Sequence, residues 1–383
     1  MPPRVRESYR RFPGWSQHFW TWYTGQALSG QQPLFSLSWK SYLAIVHLAF
    51  FAGLGLSVSA LGGTVGVWWY LPGVALTIWS SRSMILVVAH QCIHRRFSGR
   101  PRLDQFIGEW VTVLSVFQDL GEFKLEHIDA HHRPGIFATQ NDPPMQVLEG
   151  LGLRPGMSRS SLWRRTWWVF LTPGLYIKGA WSRIRGNLLA GSLLRRLGFL
   201  AWAVLWLAIA WLLPHGPLIF LAGFVLPVIV AAQLSALLDK LGEHAWLTEP
   251  DPRHGARHFH VAASWARLCG DPLPPRDLPA ARSIAAWSKW WFRLAFYHCP
   301  ARLFVVVGDL PSHDYHHRFP NRSDWLVAAY ARQQEVDAGN GPPFVEVWGL
   351  GAAMDRCFQS LAAHGPAGAV AMTFPQPATV LSR

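Results

Sequence analysis

Residues 197–238 read LGFLAWAVLWLAIAWLLPHGPLIFLAGFVLPVIVAAQLSALL, 42 positions without an Asp, Glu, Lys or Arg. One helical bilayer crossing takes about 20 apolar residues. The stretch is therefore long enough for two helices and a turn. Pro214-His215-Gly216-Pro217 at its centre supplies the turn, because proline and glycine punctuate a helix. Residues 41–81 repeat the arrangement: 41 uncharged positions with Gly62-Gly63-Thr64 in the middle. The sequence predicts four spans in two hairpins, at about 41–61, 65–88, 197–213 and 217–238.

Composition agrees. Of 383 residues, 50% are hydrophobic and 15% charged, against about 25% charged in soluble domains. Disorder, a collagen-like fibre and a disulfide scaffold are excluded. Cys92, Cys269, Cys299 and Cys357 are far apart and form no C-x-x-C pair, so they suit a reducing compartment. The 22 tryptophans suit a bilayer interface. The net charge of +13 invites a nucleic-acid reading, but its distribution opposes it. Segment 1–40 holds 5 Lys and Arg, 82–196 holds 16 and 239–383 holds 14, which accounts for all 35. The two turns hold none. By the positive-inside rule both termini and the middle segment face the cytoplasm. No nucleic acid is expected. Residues 1–35 lack the apolar core of a signal peptide, so none is expected.

Outside the spans, residues 1–40 read as a cytoplasmic interfacial arm, with Trp15, Phe19, Trp20, Trp22 and Tyr23 among basic residues. Segment 104–120 reads as an amphipathic helix too short to cross. Segments 161–196 and 281–300 alternate tryptophans with cations and read as interfacial helices. Residues 250–280 read as a loop, 326–365 as a C-terminal cytoplasmic segment and 366–383 as a disordered tail. The expected fold is an all-α integral membrane protein. Two helical hairpins, within a membrane domain of residues 41–325, carry a cytoplasmic helical cap.

Seventeen histidines are present, and eight fall into three clusters. The first is His90-Gln-Cys-Ile-His94, whose spacing of four puts both rings on one helix face. The second is Glu126-His127-Ile-Asp-Ala-His131-His132. The third is His313-Asp-Tyr-His316-His317. Neutral imidazole is a good ligand for iron, zinc and copper. Eight are too many for one tetrahedral site, so the count points to two metals. All three clusters fall on the predicted cytoplasmic side, where they can converge under the spans. His244, just beyond the fourth span, is a ninth candidate. His18, His47, His215, His254, His258, His260, His298 and His364 are read as ordinary histidines, His298 being the nearest to an exception.

The three boxes, in this order and spacing, resemble those of the membrane-bound fatty acid desaturase and alkane hydroxylase superfamily, over roughly residues 40–325. Glu126-His127-Ile-Asp-Ala-His131-His132, with Ala138-Thr139 and Asp142-Pro143 behind it, is similar to the second box of alkane and xylene monooxygenases. Glu243-His244 is similar to a Glu-His element that precedes the last box there. The ending His316-His317-Arg318-Phe319-Pro320 resembles lipid desaturases instead, and Gln91-Cys92 departs from the hydroxylases' usual Glu-Leu.

The resemblance implies two iron ions (Fe2+/Fe3+) held by His90, His94, His127, His131, His132, His244, His313, His316 and His317, with O2 as co-substrate. Carboxylates should orient the imidazoles through their other ring nitrogen; the candidates are Glu126, Asp129, Glu243, Asp309 and Asp314. The substrate is an alkyl chain of a fatty acid or fatty acyl lipid, drawn from the bilayer. Arg95, Arg96, Arg133 and Arg318 could hold its head group, although the positive-inside rule alone also places them there. No dinucleotide fingerprint or fused cytochrome sequence is present. An external ferredoxin, rubredoxin or cytochrome-type donor on the cytoplasmic face is implied. Desaturation is the reading the boxes favour. Terminal hydroxylation, and oxidative decarboxylation to a 1-alkene, are the alternatives within the same chemistry. A metal transporter is the rival from another class, but its ligands would sit near the bilayer midplane.

Overall fold

The computed structural model describes residues 5–247, 260 and 263–364. Four helices are long and apolar enough to cross a membrane: α1 (Trp39–Leu61), α2 (Val67–Ile93), α7 (Leu193–Leu212) and α8 (Gly216–Lys240). Between α2 and α7 run α3 (Pro101–Leu114), α4 (residues 120–131), α5 (Arg159–Leu171) and α6 (Pro173–Leu189). After α8 come β1 (Ala266–Leu268), α9 (Ala280–Arg293), α10 (His313–Arg318), α11 (Ala328–Ala338), β2 (Glu346–Trp348) and α12 (Leu350–Ala363). The chain is an integral membrane protein, mostly helical with almost no strand.

Both hairpins lie where the charge-free stretches put them. Ser38 caps α1 by accepting from the Ser41 N–H at 3.0 Å. The α1–α2 turn uses Gly63 at φ +77°, a conformation glycine adopts without strain. The two helices approach closely through small residues. A Cβ on Gly53 would stand 2.6 Å from Thr77 Oγ1, and one on Gly73 would stand 2.6 Å from Ser57 Oγ. Helix α8 holds Pro227 inside a π-helical stretch, Ile219–Ala231. The wider π turn accommodates a residue that has no N–H to give. Leu48, Leu205, Trp211 and Leu221 remain exposed on the outer faces, as a lipid-facing belt requires.

Ionic links tie the spans together at the end where the histidines gather. Arg82 of α2 donates to Asp239 of α8 at 3.3 Å, and Arg267 of β1 also binds Asp239. Arg195, in the first turn of α7, is buried. It binds Glu109, Thr112 (2.8 Å), Asn187 (2.8 Å) and the Phe117 and Gln118 carbonyls (2.9 and 3.0 Å). One arginine thus fastens α3, α6 and the third span.

Several expectations need correction. Segment 161–196 holds α5 and α6 as two separate helices before the third span starts, because Thr172 before Pro173 is held extended (ψ 113°). The third span begins at Leu193, four residues early, since Ser192 caps it. The amphipathic helix of 104–120 ends at Leu114, and Val116 at φ +48° turns the chain away. In the arm Trp15 is exposed, whereas Trp20 and Tyr23 pack with Tyr9 and Trp290 in a small core. Within 250–280, residues 263–280 include β1, which pairs in parallel with β2 (Ala266 opposite Glu346). Segment 326–364 therefore folds back onto the preceding domain. The reading of 366–383, like His254 and His258, lies outside the described residues.

Candidate metal centre

All nine histidines singled out from the boxes and from Glu243-His244 come together, and they do so as two groups. His90, His94, His127, His132 and His316 form one, and His131, His244, His313 and His317 form the other. Within each group the nearest nitrogens all lie within 4.8 Å of one another. His90 stands on the last turn of α2, and His94 follows one turn later. Box two lies on a π-helical stretch, Leu125–His131, where the His132 N–H donates to the His127 carbonyl at 2.9 Å. That five-residue repeat brings His132 edge-on to His127, with Nε2 atoms 3.0 Å apart, and sends His131 the other way. In α10 the ordinary four-residue repeat pairs His313 with His317, Nε2 to Nε2 3.0 Å. His316 turns to His90 and His94, each ring 4.6 Å away. Each His-His pair is thus divided between the groups.

Neighbouring elements fix the rings. Asp142 is fully buried and bonds His131 Nδ1 at 2.9 and 3.0 Å, while accepting from the Ala138 N–H at 2.7 Å. That bond leaves His131 Nε2 facing its group. His244 lies just past α8, in a bridge to Ser264. Glu243 Oε1 stands 2.9 Å from His313 Nε2 and 3.6 Å from His244 Nε2, so this carboxylate belongs to the second group's surroundings.

The site is built for neutral imidazole. Burial, reinforced by neighbouring histidines, holds His127, His132, His316 and His317 well below the usual histidine range. Burial also drives His94 down to about 3, with His313 and Arg96 contributing. Nε2 of His94 and His316 in one group, and of His131 and His244 in the other, are buried without a hydrogen-bond partner. Buried polar atoms ordinarily find a partner. Nitrogens 3.0 Å apart match two donors about 2.1 Å from one ion at a right angle. Each group could hold one metal ion.

The acidic candidates divide. Glu243 touches the second group, as above. Asp309 accepts from Gln91 at 2.9 Å, beside His90 in sequence, and burial raises its pKa to about 7. Asp314 does not orient an imidazole: both oxygens are taken by Arg332, at 2.9–3.1 Å. Glu126 and Asp129 are exposed on the outer face of α4, and Glu126 accepts from Gln118 instead. Asp142 takes the orienting role and was missed. It starts the next helix, eleven residues after His131, and no spacing rule links the two. Of the arginines, Arg95 and Arg133 are exposed, Arg96 is half-buried and Arg318 is buried.

The remaining histidines mostly have structural partners. His298 bonds Asp271 at 3.0 Å and accepts from the Gly270 N–H at 3.0 Å. His47 accepts from Trp110 at 2.9 Å. His260 departs from its ordinary reading: it stacks on Phe137, 4.5 Å between centroids, and lines the cavity beside the two groups.

Four membrane helices over one half-buried and one buried histidine group define a membrane-embedded protein with a histidine-rich metal centre. The fatty acid desaturase family matches residues 67–348, and the chain belongs to that family. It is a fatty acid desaturase-like oxidoreductase with a lipid substrate. No curated protein matches the sequence.

Proposed function

We propose that the chain is an O2-dependent di-iron fatty acid desaturase, with one iron in each histidine group and all nine histidines as ligands. The observation that carries this reading is the division into five and four convergent imidazoles, each group holding two buried Nε2 atoms without a partner. Five nitrogen donors exceed the four of a closed zinc site, and imidazole suits iron. The bound irons supply O2 activation and the oxidant that an unactivated C–H bond demands, which side chains cannot.

The chain's own residues do the rest. Asp142 holds the His131 tautomer and aims its Nε2. Glu243 carries negative charge beside His313 and His244. The lipid-facing helices admit the alkyl chain from the bilayer. The basic segments and the histidine-bearing ends of α2 and α8 face the cytoplasm, where an external ferredoxin, rubredoxin or cytochrome-type donor docks. Each turnover takes two hydrogens from the chain, two electrons from that donor and two protons, and converts one O2 to two waters.

The test is mass spectrometry of products formed from fatty acids by the purified protein with a reductant system. Loss of two hydrogens is the expected result. Gain of one oxygen would make it a hydroxylase, and loss of CO2 with a terminal alkene would make it a decarboxylase.

A further inference from the structure

A cavity of about 440 Å³ opens beside the histidine groups, within the roughly 300–1,000 Å³ of small-molecule sites. Its wall carries His94 and His132 of one group, His317 of the other, and Arg318. Ile128, Pro134 and Pro320 give it an apolar side. Arg318 is only 5% exposed. Its Nη2 donates to the Pro342 carbonyl at 2.6 Å, and its guanidinium stacks on Phe344, 3.7 Å from the ring centre. Its Nε is buried without a hydrogen-bond partner.

The nearby acids are engaged elsewhere: Asp314 by Arg332, and Glu335 by Arg322 at 2.7 Å. Among the described residues no ion pair joins Arg318 to a carboxylate. A buried cation is costly unless paired. Among the described residues Arg318 has a carbonyl and an aromatic face but no bonded carboxylate, and guanidinium suits a carboxylate by its paired N–H geometry.

We propose that this cavity takes the carboxylate end of a free fatty acid, held by Arg318, so that the first few carbons are presented to the histidine groups. The proposal rests on the oxidase reading above. Arg318 lines the same cavity as His94, His132 and His317. A carboxylate held there has its first carbons beside metal-facing donors, and a mid-chain carbon lies farther along. A coenzyme A ester or a phospholipid carries its phosphates many bonds from the acyl carbonyl. A phosphate at Arg318 would leave the acyl carbons away from the histidines. The balanced step is R–CH2–CH2–COO⁻ + O2 + 2 e⁻ + 2 H⁺ → R–CH=CH–COO⁻ + 2 H2O. The C–H bonds at C2 and C3 break, O2 is reduced, and a one-electron donor protein supplies the electrons.

The experiment measures binding of radiolabelled dodecanoate and of its methyl ester to the purified full chain, Arg318→Gln and Arg318→Lys. It then locates deuterium loss from position-labelled dodecanoate. Arg318→Gln should weaken dodecanoate binding at least tenfold and leave the ester within twofold, which also shows the cavity intact. Arg318→Lys should hold dodecanoate within a few fold. Deuterium should leave only C2 and C3, and loss of CO2 with a C3 hydrogen supports the same placement. Dodecanoate binding unchanged in Arg318→Gln, or deuterium loss beyond C3, overturns the proposal while leaving the oxidase reading intact. Arg318-dependent binding without any turnover supports the anchor and overturns the oxidase reading instead.

Discussion

His316 and His317 are consecutive, yet they belong to different groups: the His316 ring faces His90 and His94, while His317 Nε2 lies 3.0 Å from His313 Nε2. Successive residues on a helix point about 100° apart, so a His-His pair on one helix serves two centres. His316→Ala and His317→Ala should each lose one metal position and keep the other. Iron content near half the parent's, with activity down by more than about 100-fold, is the expected result. Loss of both metals from either variant would mean a single shared site.

Asp142 orients His131 from outside the group. Asp142→Asn keeps the shape but weakens the ring's basicity and tautomer control. Metal affinity or activity should fall by about 10–100-fold, with folding retained. Iron retention on dialysis against a chelator checks this.

Asp314 and Arg332 form a buried pair that holds α10, and through it the third box. Removing one partner leaves an uncompensated charge, worth about 3–5 kcal/mol. Arg332→Leu should lower the melting temperature in detergent sharply, and adding Asp314→Leu should recover part of the loss.

Asp309 has its pKa raised to about 7 by burial. Between the ordinary carboxylate range and that value, the native chain keeps a proton that the unfolded chain has released. Stability from this group therefore falls as pH rises through the window, by at most about 1.4 kcal/mol per unit, and levels off above it. Asp309→Asn should melt higher than the parent at pH 8, with the gap closing as pH falls toward 5. A gap independent of pH would show that Asp309 is not the titrating group.

Gly53 and Gly55 separate packing from exposure on one helix. Gly53 has no room for a Cβ, whereas Gly55 meets nothing within 4 Å. Gly53→Ile should abolish folded yield, and Gly55→Ile should leave it near that of the parent.

The four spans were readable because a run without charges has few alternatives in water. Eight of the nine histidines were readable because three boxes repeat helical spacings, and His244 because it follows the fourth span in a Glu-His element. Their division was not, since His127 and His132 align only on a π turn, and nothing in Leu125–His131 announces one. Asp142 reaches His131 only through the tertiary fold, as His260 reaches the cavity. The break at Pro173 was in plain view, but alternating Trp and Arg masked it. The β1–β2 pair is three residues a side, too short for an alternating pattern to register.

The most direct test counts metals in protein purified under reducing, low-oxygen conditions. The account predicts two irons per chain, one for each histidine group, and no stoichiometric zinc. A folded protein holding zinc alone, or no metal at all, would contradict it.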